Sequence, residues 1–192
     1  MAEVLRTFVA VEIPVEVRDR ARRLIDRLRL AAANVKWVEP EHMHWTLKFL
    51  GDVEILETPA ICQAVTRAVE PLAPFDVEAV GAGAFPDPQR PRTVWIGTGQ
   101  GGEQMIELHD AIEGELAKLG YRAENRRFRP HLTIGRVRQS PAGIDQLGEL
   151  LRQNADFASG LSTVYEVVVF SSQLSARGPT YEPLCHAELK GH

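Results

Sequence analysis

Two short patterns in the sequence carry residues suited to acid–base chemistry. His44-Trp45-Thr46-Leu47 and His131-Leu132-Thr133-Ile134 both read His-x-Thr-aliphatic, and they stand about half the chain apart. Imidazole is the side chain whose ordinary pKa lets it take or give a proton near neutral pH. Two imidazoles flanking one phosphorus could deprotonate a water molecule and protonate a departing ribose oxygen. Two hydroxyls beside them could donate to the non-bridging oxygens, where charge develops in the transition state. Such a constellation suits hydrolysis of a cyclic phosphate, a strained five-membered ring with an internal leaving group, and it calls for no metal. These residues alone leave open which histidine is acid and which is base. One tetrad by itself is weak, because threonine is a common strand residue; the repetition carries the weight.

The remaining histidines lack that context. His42 reads as loop, His109 as helix surface, His186 as strand and His192 as tail. A zinc pair of His42 and His44 has no Cys, Asp or Glu cluster at ligand spacing to complete it.

The elements that must position the tetrads follow from periodicity. Val4–Ile13 reads as a strand, and Pro14 opens a helix over Val15–Leu30 with Val17, Ala21, Leu24, Ile25 and Leu28 on its apolar face. Val35–Val38 is a short strand. His44–Leu50 is a strand closed by Gly51-Asp52, and a second helix follows with Thr58 as N-cap. Phe75–Phe85 and Thr93–Thr98 pair around a stiff proline loop. A third helix runs over Glu103–Leu119, ended by Gly120. His131–Val137, Thr163–Ser171 and Tyr181–Leu189 are strands, and Gly143–Arg152 is a helix. Strict alternation puts His44, Thr46 and Lys48 on one face of their strand and Trp45, Leu47 and Phe49 on the other. It sets Arg136 on the face opposite His131, so Arg136 reaches a shared cleft only where the strand bends near Gly135.

The chain has 192 residues, 22 Lys and Arg against 26 Asp and Glu, and two cysteines, Cys62 and Cys185. A net charge of −4 means that nucleic-acid binding would depend on a local basic patch. Arg122, Arg126, Arg127 and Arg129 before His131, and Arg90 and Arg92 in the proline loop, are either such a rim or solvated charges. The cysteines form neither a C-x-x-C motif nor a disulfide framework and read as reduced thiols. No leader or membrane-spanning stretch is evident. The expectation is one soluble cytoplasmic domain, monomeric, with no membrane partner.

The residues so far resemble the two-histidine phosphoesterase superfamily, and within it the RNA 2′,3′-cyclic phosphodiesterases once called 2′–5′ RNA ligases. The match spans nearly the whole chain: Arg6–Ile13, Val35-Lys36-Trp37-Val38, His44 to Gly51, Arg129 to Arg136, Ser172-Gln173-Leu174-Ser175 and Gly178-Pro179-Thr180-Tyr181. The resemblance implies an α+β bilobal fold, with two antiparallel sheets flanked by helices, pseudo-two-fold symmetry and a central cleft. Residues 1–192 then form a single bilobal domain whose lobes interleave in sequence, one motif from each. It further implies His44 as proton donor to the 3′ oxygen and His131 as proton acceptor from water, leaving a 2′-phosphate. Thr46 and Thr133 hold the phosphate, and Arg136 and Phe8 approach the nucleoside. No metal or other cofactor is implied, and the substrate is an RNA 3′ end or a small cyclic nucleotide. Trp45 stands where aliphatic residues are commoner; by parity it should pack in the core. Competing readings are a relative acting on 2′–5′ linked oligonucleotides or on cyclic ADP-ribose phosphate, and a non-catalytic RNA-end binder. The last has no use for an acid–base pair, and ligation is the reverse reaction.

Overall fold

A computed structural model describes residues 3–125, 127–138, 142–175 and 178–192. Arg126 lies outside the described residues. Nine antiparallel strands and four α-helices are found among them. The strands are β1 (Val4–Glu12), β2 (Val35–Trp37), β3 (His44–Glu54), β4 (Phe75–Phe85), β5 (Thr93–Thr98), β6 (Leu132–Val137), β7 (Ala158–Val164), β8 (Glu166–Ser175) and β9 (Gly178–Glu188). The helices are α1 (Val15–Leu28), α2 (Thr58–Val69), α3 (Gly102–Ala117) and α4 (Ile144–Gln153).

The strands run β7-β4-β5-β6-β3-β1-β8-β9, with β2 added on β6. All belong to one sheet, where two separate sheets were expected. The join between its halves is narrow: β3 and β6 meet through the single pair Trp45 and Leu132. Beyond that point the same edge of β6 is taken by β2, from Gly135 to Val137. The N-terminal strand β1 lies between β3 and β8, so both ends of the chain contribute to one half of the sheet.

Apolar patterning explains the layers. The inward row of α1 (Val17, Ala21, Leu24, Ile25, Leu28) is fully buried, and α1 and α4 pack over β7 and β4. Helices α2 and α3 pack on each other and over β9, β8 and β3. Together with Val9, Val11, Trp45, Leu47, Val94 and Ile96 they form the main core, whose burial supplies most of the driving force for folding. The opposite face of the β1–β8 half holds a smaller apolar cluster of Phe8, Ala10, Val168 and Phe170, capped by Tyr181. Trp45 is buried in the main core at 1% exposure, as parity required.

Several local expectations change. The Thr58 hydroxyl does not cap α2; it donates backwards to the Ile55 carbonyl at 2.7 Å, and Glu57 precedes the first turn. The predicted strand over Thr163–Ser171 is the junction of β7 and β8, which part at Tyr165. His109 is not on the surface of α3: it is buried and stacks face to face on Phe128 with ring centroids 4.1 Å apart. Leu119 is exposed, because α3 has ended by Ala117. The two cysteines, distant in sequence, are neighbours in space between α2 and β9. Burial, with the adjoining Cys62 thiol, pushes Cys185 up to about 12, and the two cysteines form no disulfide. No helix among the described residues is long and apolar enough to cross a membrane.

Candidate active site

The site is built where the two halves of the sheet meet. Antiparallel pairing of Trp45 with Leu132 carries a register that sets His44 level with Thr133, and Thr46 level with His131. Trp45 and Leu132 both point into the core. Alternation then turns both His and both Thr residues to the other side, on neighbouring strands. The structure thus brings together all four residues that the tetrads singled out.

The aliphatic residue that closes each tetrad is a β-bulge. Along β3, Thr46 pairs with Ala10 and Lys48 with Val9, so Leu47 is the extra residue. Along β6, Thr133 pairs with Trp95 and Gly135 with Val94, so Ile134 is the extra residue. A bulge inserts one residue into one strand and reverses the facing of those that follow. Two expectations from strict alternation therefore fail. Lys48 does not share the face of His44; it is buried against α3, paired with Glu113 and donating to the Arg122 carbonyl at 3.0 Å. Phe49 does not face the core; it is 56% exposed and packs on Phe8. The same device acts on β6. Gly135 turns inward, where a Cβ would lie 2.8 Å from the Trp37 ring and the Val35 side chain. Arg136 turns toward the cleft, opposite Thr93. Its charge acts on both His131 and Tyr181, although these residues belong to different halves of the sheet.

Each histidine has an aromatic wall and a backbone anchor. His44 stacks on Phe8 at 4.9 Å between centroids and receives the edge of Tyr181 at 5.4 Å. It hydrogen-bonds the backbone of His42. His131 meets Phe85 edge-on at 5.0 Å, and its Nδ1 donates to the Arg129 carbonyl at 2.6 Å. A carbonyl can only accept, so the proton sits on Nδ1 and the Nε2 lone pair is left for the cleft. Burial pushes His44 down to about 4, against the hydrogen bond to His42. Burial likewise lowers His131, aided by the charges of Arg136 and Arg129. Both rings are thus neutral at pH 7 in the free protein. A phosphate anion placed between them would favour protonation of either.

The basic residues divide. Arg127 and Arg129 line a groove beside His131, with the Arg129 guanidinium 5.4 Å from the centre of the Phe85 ring. Arg122 is exposed, and its carbonyl serves as acceptor for Lys48. In the proline loop Arg90 pairs loosely with Asp87, and Arg92 is exposed; neither lines the groove. Among the described residues, no three His, Cys, Asp or Glu side chains gather as a metal site would require. Phe85, the wall of His131, lies outside the tetrads; its alternation with Gly83 on β4 is the trace it leaves in the sequence.

The LigT-like phosphoesterase family model matches the chain twice, over residues 11–95 and 96–181, one tetrad in each. The chain belongs to this family. An RNA 2′,3′-cyclic phosphodiesterase of Methanothermobacter thermautotrophicus is 38% identical over 177 residues, covering 92% of this chain and 95% of that one. Its counterpart in Thermotoga maritima is 31% identical over 187 residues, with 97% of each covered. A crystal structure of a Thermus thermophilus protein superposes with a TM-score of 0.81 at 25% identity, covering 98% of this chain and 100% of the other.

Proposed function

We propose that this LigT-like phosphoesterase hydrolyses the 2′,3′-cyclic phosphate at an RNA 3′ end, or on a small cyclic nucleotide, to a 2′-phosphate. The observation that carries the reading is the register at the β3–β6 junction, which sets two His-x-Thr faces side by side. In this reading Thr46 and Thr133 donate to the non-bridging oxygens. His131 accepts the proton of the attacking water on Nε2, the nitrogen its Arg129 contact leaves free. The water oxygen bonds to phosphorus as the bond to the 3′ oxygen breaks, and His44 supplies the proton that this oxygen takes up. His44 must be charged for that step. Burial opposes the charge, and the phosphodiester anion restores it, so the acid is armed when substrate arrives. Phe8 and Arg136 approach the terminal nucleoside from the floor and the rim.

Residues 1–192 act as a single bilobal domain, its halves related by a pseudo-two-fold axis near the Trp45–Leu132 pair. The protein works as a monomer without cofactor in the cytoplasm. The test is a chelator-treated assay on an RNA carrying a terminal 2′,3′-cyclic phosphate, with the product end identified. A 2′-phosphate formed at the untreated rate is the expected result. A 3′-phosphate, or activity that returns only with a divalent ion, would overturn the assignment of roles.

A further inference from the structure

Beside His131 the cleft continues into a groove of about 580 Å³ lined by Phe85, Trp95, Arg127, Phe128, Arg129 and Pro130. Its wall is built unusually. Trp95 is the cross-strand neighbour of Thr133, so its side chain leaves the sheet on the phosphate-facing side. It also pairs with Gly83 on β4. A Cβ at Gly83 would fall among the atoms of the indole's six-membered ring, and one at Gly97 would lie 3.2 Å from it. The two glycines thus clear a bed on which the indole lies down against the strands, its outer side facing the groove. Phe85 extends the aromatic surface at 5.2 Å between centroids. Arg127 and Arg129 supply positive charge along the same groove.

We propose that this groove is a second nucleotide subsite, which stacks the base of a non-terminal RNA nucleotide on Trp95 and takes a chain phosphate on Arg127. The proposal rests on the RNA-end reading above. An aromatic plate with arginines beside it is how single strands are held without base-specific hydrogen bonds, because every base has a π-face. Beside His44, Phe170 and Tyr181 already line a pocket. The plate beside His131 serves a different nucleotide, which the strand reaches through the 5′ phosphate of the terminal nucleoside. The protein then favours an oligonucleotide end over an isolated cyclic nucleotide, with little regard for the identity of the second base.

The experiment compares kcat/KM for a 2′,3′-cyclic mononucleotide and for a short oligoribonucleotide ending in the same cyclic phosphate. The proteins are wild type, Trp95→Leu and Arg127→Gln. Wild type should favour the oligonucleotide. Trp95→Leu should lose roughly 5- to 150-fold on it, the scale of one base–aromatic stack, while keeping its mononucleotide rate. Arg127→Gln, on the surface and harmless to folding, should flatten the log–log salt dependence for the oligonucleotide by about 0.7, one phosphate contact. Quenching of tryptophan fluorescence by an unreactive short RNA should be lost in Trp95→Leu, a readout that needs no catalysis. Equal losses on both substrates, or none on either, would overturn the subsite. Failure of wild type to act on any cyclic phosphate, with quenching intact, would instead overturn the functional reading and leave the groove standing.

Discussion

Trp45 on β3 and Leu132 on β6 are cross-strand partners, and among the described residues theirs is the one pair joining these strands. Both side chains are buried, at 1% and 0% exposure. Burying the middle residue of each tetrad in the core is what turns its His and Thr the other way. The geometry of the candidate site is therefore secured from behind, by packing.

Thr46→Val and Thr133→Val keep shape and delete one hydroxyl each. Loss of one donor to a developing oxyanion costs about 2.7–4 kcal/mol of barrier, or roughly 10²–10³ in kcat. Steady-state kinetics on a cyclic-phosphate substrate should show the loss in kcat with a much smaller change in KM. Normal turnover in both variants would assign the hydroxyls to the fold.

The bulge at Leu47 makes Lys48 a structural residue. It is 3% exposed and paired with Glu113, whose second oxygen accepts the Glu124 N–H at 3.1 Å. Glu113→Ala leaves that ammonium buried and unpaired, which typically costs about 3–5 kcal/mol. Urea unfolding should report a loss of this size. A stable Glu113→Ala protein would place Lys48 in solvent or in the cleft, against the observed register.

His44 ties stability to pH with a definite sign. Its ordinary value is 6.5, and burial brings it to about 4 in the folded protein. Between those values the unfolded chain binds a proton there that the folded chain does not. The contribution is fully present above pH 6.5 and is lost as pH falls toward 4, by about 3 kcal/mol at most. His131, also lowered, acts in the same direction. Urea unfolding at neutral pH and near pH 4 should show a smaller drop for His44→Gln than for wild type. Equal drops would mean that His44 is solvated in the folded state. Bound inorganic phosphate should move the His44 NMR titration midpoint upward; an unmoved midpoint would remove the argument that substrate arms the acid.

Much of this was legible in the sequence, because period and residue type reported it directly. The repeated tetrads mark the four residues that the structure sets side by side, the α1 stripe marks its buried face, and parity places Trp45 in the core. What failed was what alternation cannot carry. Nothing in Leu47 or Ile134 announces a bulge, since both look like ordinary strand residues. Lys48, Phe49 and Arg136 were therefore assigned by a parity that holds only up to the bulge. His109 reads as surface in the sequence because its partner, Phe128, comes from a loop whose path no local pattern fixes. The neighbouring cysteines and the Trp95 bed likewise depend on contacts between distant segments.

The measurement that bears most directly on the two-histidine mechanism is hydrolysis of an RNA cyclic phosphate by folded His44→Ala and His131→Ala, repeated with an activated aryl phosphodiester. Both variants should be nearly inactive on the RNA, and wild type should show a bell-shaped pH–rate profile. The activated ester has a leaving group that needs little protonation. If accepted, it should partly restore His44→Ala, which lacks only the acid, and leave His131→Ala inactive. Rescue in the opposite order would exchange the two roles. Wild-type hydrolysis of the RNA substrate by either folded variant would contradict the acid–base pair itself.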